Sequence, residues 1–282
     1  MNWQDEGYLL SKIKFRENAN IINVFTNKRG KVSGIVYGGN SRKIRNYLQI
    51  SNKIYIFHSS KSENKIGYFK TELVEAISPK FFNDKERTAA LLSLSSILNF
   101  LLPESQPYKK LFTSLEELLE NFNDNDWIYF YIFWELNLLK ELGFDPYLNQ
   151  FKNSNSVENI KNIKIEVDNV NYQVPKFLID NNFPDIKSNE DIVLALSFTR
   201  NLLVNKFFIP NNLMFPKSRI ILENYFNWSA ISKAKYVTIA FEPALFRDIK
   251  LSITASLLII LFLMPFCINE YSPILGKKKL EF

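Results

Sequence analysis

A chain of 282 residues with 46% hydrophobic and 23% charged side chains can build packed cores, as one large domain or as two to three small ones. Its single cysteine and single histidine exclude an internal disulfide and a zinc site built from Cys and His, and they point to a reducing, cytoplasmic setting. The net charge of +6 is localised: residues 1–80 hold 14 Lys/Arg against 6 Asp/Glu, while the rest of the chain is slightly acidic, so a polyanion is the expected partner of the N-terminal segment.

The first eighty residues read as β structure. Candidate strands are Gly7–Lys14, Asn20–Thr26, Lys31–Tyr37, Tyr47–His58 and Lys65–Glu75. Each is rich in Ile, Val, Tyr or Phe and is bounded by Gly, Asn, Ser or charged residues. Five short strands of this kind fit a small closed barrel such as the OB-fold, and an SH3-like barrel fits the pattern almost as well. The opening Met1-Asn2-Trp3-Gln4-Asp5-Glu6 is polar and acidic, unlike a secretory signal. Ser78-Pro79 closes this region, so the first domain is expected over 1–78.

The next segment, 79–228, reads as a helical domain. Glu86–Leu102 carries Ala89, Ala90, Leu94, Ile97, Leu98 and Leu101 at helical spacing. Tyr108–Phe122 sets Leu111, Phe112, Leu115, Leu118, Leu119 and Phe122 on one stripe. Asp126–Leu142 is apolar nearly all round, which predicts a buried central helix stopped by Gly143. Residues 150–189 are irregular and Asn/Lys-rich, with two apolar runs, Ile163–Val167 and Val174–Ile179, consistent with an insertion holding a small hairpin. Glu190–Phe208 and Ser218–Trp228 predict two further helices. The fold class is therefore α+β, a barrel followed by helices.

Residues 229–282 change character. Leu251–Ile268 is an 18-residue run without charge, about the shortest that can span a bilayer, with Arg247 and Lys250 before it and Lys277–Lys279 after it. Three readings stand side by side: a membrane anchor, a helix buried in the protein, or sequence appended by a shifted reading frame.

No catalytic constellation emerges, and no cofactor, metal site or enzymatic activity is expected. There is no P-loop, no glycine-rich dinucleotide motif after a strand, and no paired His or Cys spacing. His58 falls at a strand end, where a structural role is expected. What stands out is basic and aromatic. Lys12, Lys14 and Arg16 end the first strand. Lys28, Arg29 and Lys31 surround the turn between the second and third. Arg42, Lys43 and Arg45 fall in the following connection. Tyr37, Tyr47, Tyr55, Phe57, Tyr68 and Phe69 add rings on the strands. Most of these rings should pack inside, since alternation exposes only two or three. Cations that follow a phosphate backbone, with a few exposed rings for bases, are the equipment of nucleic-acid binding.

Two motif sets resemble the RecO family of bacterial recombination mediators. The first is Trp3-x-Asp5-Glu6-Gly7, Thr26-x-x-x-Gly30 and Gly34-x-Val36-x-Gly38-Gly39, followed by Arg42, Arg45 and Leu48-Gln49. The second is Trp127 through Trp134-Glu135-Leu136-x-Leu138-Leu139-x-Glu141-Leu142-Gly143-Phe144, similar to the family's central helix in its alphaproteobacterial form. The resemblance covers about residues 1–228 and implies an OB-fold, a helical domain and, in some members, a zinc-ribbon-like insertion. It also implies DNA repair in the RecF pathway: binding of single- and double-stranded DNA, strand annealing, action with RecR, engagement of the C-terminal tail of single-stranded DNA-binding protein, and loading of RecA. The setting it implies is cytoplasmic and nucleoid-associated. Residues 150–189 hold no cysteine, so a zinc role there is lost and Ile163, Ile165, Val167, Val174 and Phe177 must hold the insertion instead.

The DNA-binding set is therefore Lys12, Lys14, Arg16, Lys28, Arg29, Lys31, Arg42, Lys43 and Arg45. Protein partners are expected on the helices, where Lys109, Lys110, Lys140, Arg200 and Lys206 are available to rim a pocket for an acidic, aromatic-ended peptide. The rival reading is a membrane-tethered adaptor, held by 251–268, whose basic barrel binds an acidic protein.

Overall fold

The computed structural model describes residues 2–39, 41–60, 66–151 and 162–227. The apolar run 251–268, with its three readings, lies outside them. Among the described residues no helix is long and apolar enough to cross a membrane.

Five strands form the N-terminal part: β1 (Asn2–Arg16), β2 (Ala19–Thr26), β3 (Gly30–Tyr37), β4 (Lys53–Ser59) and β5 (Gly67–Glu75), with helix α1 (Arg42–Tyr47) between β3 and β4. They close in the order β1-β2-β3-β5-β4 and back to β1. All pairs are antiparallel except β3 with β5, which meet in parallel at Gly34↔Gly67 and Ile35↔Tyr68. A five-stranded closed barrel with this order and a helix before its fourth strand is the OB-fold. Leu9, Ile22, Val24, Val32, Val36, Leu48, Ile54, Ile56 and Phe69 fill its interior.

β1 is longer than the Gly7–Lys14 expected. Its first half pairs with β4, Trp3 opposite His58, and its second half pairs with β2, so one strand serves two neighbours. The expected strand Tyr47–His58 divides. Ser41 caps α1 by accepting from the Ile44 N–H, and the chain then turns through Ser51 at φ 71° before β4 begins at Lys53. The turn is held by Asn52, whose Oδ1 accepts from the Ile77 and Ser78 N–H groups at 2.8 and 2.9 Å.

The motif residues have definite work in this barrel. The Thr26 hydroxyl donates to the Gly30 carbonyl at 3.1 Å and accepts from the Arg29 N–H at 3.2 Å, fixing the β2–β3 turn. Gly30 sits at φ 69° with a Cβ position overlapping the Gln106 carbonyl, so no other residue fits. Asp5 accepts from the Glu6 N–H and the Lys28 N–H at 3.0 and 3.3 Å. Gly34 lets the Phe69 ring lie flat against β3 where a Cβ would collide with it.

The helices follow: α2 (Lys85–Leu101), α3 (Lys109–Glu120), α4 (Trp127–Glu141), then strands β6 (Asn162–Val167) and β7 (Val170–Pro175), α5 (Lys176–Asp180), α6 (Asn189–Leu203) and α7 (217–227). Asp84 caps α2 through the Arg87 N–H. α4 is the central helix its composition predicts, with nine of its side chains buried. It ends at Gly143, φ 96°, where the Phe144 N–H reaches back to the Leu139 carbonyl at 2.9 Å. α6 widens into a π-turn over Val204–Phe208 rather than continuing as α-helix.

The insertion contains a regular hairpin. Asp168 and Asn169, at φ 51° and 64°, make the two-residue turn between β6 and β7. Ile163, Ile165, Val167, Val174 and Phe177 are all buried in the helical core. The donor set for zinc does not exist here, since residues 150–189 contain neither Cys nor His.

The barrel and the helices share one core. Tyr8, Leu10 and Phe25 point outward from the barrel into the helical cluster, where the Phe112 ring lies 5.6 Å from Tyr8 and 5.4 Å from Phe25. Ser51 bonds the Leu91 carbonyl and the Ser95 hydroxyl of α2.

Candidate nucleic-acid interface

Side chains of β1, β3, α1, β4 and β5 line an open cleft of about 1250 Å³ on the barrel. Strand alternation builds its rings. Trp3 of β1, His58 of β4 and Phe69 of β5 lie side by side in register across three strands. Trp3 stacks on His58 at 4.6 Å and 16°, and Phe69 meets His58 edge-on at 5.7 Å. His58 is thus held in a ring row, and a Cβ on Gly67 would strike its imidazole. The outward-facing residues of β3, β4 and β5 supply a second set. Tyr37 and Tyr68, 54% and 45% exposed, stack on each other at 5.3 Å and 26°. Phe57 packs against Tyr55 at 4.9 Å. A hydrogen bond with Tyr68 raises the Tyr37 phenol above its ordinary pKa.

Of the six rings named from sequence, Phe69 is buried, Tyr47 is half-buried with its hydroxyl on the Thr71 carbonyl at 2.7 Å, and Tyr55 and Phe57 are half-buried. Tyr37 and Tyr68 are the two that alternation leaves exposed.

The cations fall into three situations. Arg42, Lys43 and Arg45 belong to α1, and Lys43 lines the cleft. Arg16 and Lys14 are exposed at the end of β1, and Arg16 acts electrostatically on Tyr37. Lys12 joins this group through its proximity to Arg45. Its ammonium donates to the Leu48 carbonyl at 2.8 Å, and burial, then the Arg45 charge, lowers its pKa. The end of β1 and helix α1 therefore form one basic cluster.

Lys28 and Arg29 are exposed at the opposite end of the β2–β3 hairpin, roughly 23 Å away along eight-residue strands. The Arg29 guanidinium lies 4.5 Å over the ring of Trp3, which itself lines the cleft.

Lys31 is in the third situation. It is only 9% exposed, its ammonium donates to the Asn99 carbonyl of α2 at 2.9 Å, and burial lowers its pKa. The Ser105 N–H donates to the Lys31 carbonyl at 2.8 Å. The geometry makes Lys31 a tie between barrel and helices and withdraws it from the exposed surface. Sequence alone groups it with Lys28 and Arg29 because adjacency in a turn hides the side to which each residue points.

Lys70 is absent from the set named on sequence. Alternation along β5 puts Tyr68, Lys70 and Glu72 on the outer face, and Lys70 lines the cleft with its ammonium 6.0 Å over the Phe57 ring. That alternation is legible in the sequence and could have found it. Chemically, the cleft offers the cations Lys43 and Lys70, suited to phosphates, and flat ring faces suited to bases, with Glu72 as the one carboxylate among its described lining residues.

A second concavity of about 780 Å³ lies on the helical side, where Phe130, Phe133, Leu136, Leu178 and Phe183 form an apolar floor and Lys140 stands at the rim. Lys140 pairs with Asp145 at 3.3 Å. Of the other helical cations, Arg200 pairs with Glu223, Lys206 pairs with Asp168 and lies over Phe144, and Lys109 and Lys110 are exposed on α3.

Residues 1–77 match the family model for the recombination protein O N terminal, and residues 83–203 match that for the recombination protein O C terminal. The chain is 30% identical over 236 residues to the DNA repair protein RecO of Wolbachia pipientis subsp. Culex pipiens (strain wPip), covering 78% of this chain and 97% of that protein. It is 28% identical over 239 residues to the DNA repair protein RecO of Wolbachia sp. subsp. Drosophila simulans (strain wRi), covering 79% and 99%. With the DNA repair protein RecO of Roseobacter denitrificans it shares 34% over 145 residues, covering 51% and 60%. An OB barrel carrying an exposed basic, aromatic cleft, fused through a common core to helices and matched over both parts, makes this chain a member of the RecO family of DNA repair proteins.

Proposed function

We propose that the barrel cleft binds single- and double-stranded DNA without regard to sequence and anneals complementary strands. The observation that carries this reading is the convergence of Arg16, Lys12, Arg42, Lys43 and Arg45 beside a ring-lined cleft on a family-matched barrel. Two strands repel through their phosphates. Cations that neutralise several phosphates release condensed counterions and lower that repulsion, and contact to the backbone leaves the base edges free to pair. Family membership supports the finer roles: action with RecR, loading of RecA onto DNA coated by single-stranded DNA-binding protein, and capture of that protein's C-terminal tail. The apolar cleft beside Lys140 has the chemistry an acidic, aromatic-ended tail requires, rings to bury its end and an ammonium to meet its carboxylates.

Fluorescence anisotropy of a labelled oligonucleotide, titrated with the protein at several salt concentrations, tests the binding. The expected result is affinity that falls linearly in log–log with salt, similar across sequences, with a slope of about −0.7 per phosphate engaged on a single strand. Absence of binding at low salt would overturn the proposal.

A further inference from the structure

We infer that the Tyr37–Tyr68 pair is a base-stacking platform that makes the cleft prefer unpaired DNA, so that the annealed duplex is released once it forms. This rests on the reading of the cleft as a DNA-binding surface and assigns the selectivity within it.

Three observations converge. First, the two rings are the large aromatic side chains of the cleft that stand about half exposed, and they already hold a stacked geometry, 5.3 Å apart and 26° inclined. Burying exposed aromatic faces is favourable, yet nothing in the barrel core claims these two. Second, their position is fixed by the fold. Tyr68 sits at the parallel β3–β5 junction opposite Ile35, Tyr37 follows two residues along β3, and their phenols interact. A rigid platform loses little conformational freedom when a base lands on it. Third, cations flank the platform. Lys43 and Lys70 line the same cleft and Arg16 acts on Tyr37, so a backbone held by these groups carries its bases past the rings.

The selectivity follows from the nature of duplex DNA. Its phosphates are available to Arg16, Lys43 and Lys70 just as those of a single strand are. Its base faces are not, because each is already covered by the neighbouring base pair. The rings therefore add affinity only for unpaired bases. When two held strands pair, their bases stack on one another and leave the tyrosines, the ring contribution disappears, and the phosphate contacts alone retain the product.

The test uses the full chain with Tyr37→Leu and Tyr68→Leu combined, which keeps apolar bulk at two exposed positions. Binding is measured on an unpaired oligonucleotide and on a blunt duplex of equal length, and 2-aminopurine in the single strand reports stacking directly. The expected result is a loss of roughly 5- to 100-fold on the single strand for each base that stacks, with duplex affinity within about twofold of the parent. The salt slope should not change, and the quenching of 2-aminopurine by the parent protein should disappear. Equal losses on both DNAs, or an undiminished single-strand affinity, would overturn the inference while leaving the DNA-binding reading intact. A parent protein that binds neither DNA would overturn both.

Discussion

Arg219 and Glu135 form a two-pronged ion pair sealed from solvent, Nε to Oε1 at 2.6 Å and Nη2 to Oε2 at 3.0 Å, joining α7 to the central helix α4. Nη2 also donates to the Leu196 carbonyl at 2.7 Å, and the Thr199 hydroxyl donates to Glu135 at 2.6 Å, so α6 is bound in as well. Replacing Arg219 by Ala leaves a buried carboxylate uncompensated and should cost about 3–5 kcal/mol. Chemical denaturation would measure it. Glu135→Leu combined with Arg219→Met, which removes both charges and keeps volume, should restore most of the stability. A fully stable Arg219→Ala protein would contradict this account of how the three helices are held.

The surface cations and the buried one should separate cleanly. Arg42→Ala, Lys43→Ala and Arg45→Ala together should weaken DNA binding and flatten the log–log salt slope by up to about one unit for each phosphate no longer engaged. Lys31→Met should leave that slope unchanged and instead lower stability by roughly 1 kcal/mol, because the bond to the Asn99 carbonyl is removed. Anisotropy and thermal melting on the same two proteins decide the point. A reduced slope in Lys31→Met would return that residue to the DNA-contacting set.

Gly30 offers a backbone test. Gly30→Ala meets both a left-handed φ of 69° and the fixed Gln106 carbonyl, so the clash cannot be relieved by turning a side chain. A loss of about 3 kcal/mol or failure to fold is expected. Soluble expression and melting temperature give the answer.

High pH should unfold the protein through its buried phenols. Tyr129 has its pKa pushed up to about 12, chiefly by burial, and burial also raises Tyr131 and Tyr8. Between the ordinary tyrosine range and the folded value, the unfolded chain sheds these protons and the folded chain keeps them. Stability therefore falls as pH rises through that window. Tyr129→Phe removes one such group without breaking a hydrogen bond, because no partner for that hydroxyl exists among the described residues. The variant should outlast the parent above pH ~10, by at most about 2 kcal/mol, and match it near neutrality. Equal alkaline curves for both proteins would sink this assignment.

Much of the fold is legible because periodicity and stop signals are local. Trp127 to Leu142 is apolar nearly all round and is the central helix, and Gly143 ends it. The Ile163–Val167 run does become a strand. Less legible is whatever depends on a distant partner. The polar opening Asn2–Glu6 does not look like a strand, yet it becomes one by pairing with β4. Tyr47 to His58 reads as one strand, but Tyr47 ends the Ser41-capped helix α1 and Asn52 holds a turn before β4, through hydrogen bonds that no periodicity records. For the site, residue type is legible and orientation is not. Lys31 is withdrawn by a carbonyl on α2, Lys12 is half-committed to Leu48, and Lys70 gains its place from the ring beside it. Arg219 is adjacent to no acid in sequence except Glu223, so its pairing with Glu135 of α4 requires the folded chain.

Tyr8 and Phe25 spend their side chains outside the barrel, interlocked with Phe112. An independent barrel would have turned such rings inward or dispensed with them. The two halves are therefore not beads on a string. The joint between them is made of buried side chains from both, continuous with the helical interior. The outer strands of the barrel and the central helix α4 are thereby tied through one buried core, so a side chain cut away at Phe112 is felt on both sides of it.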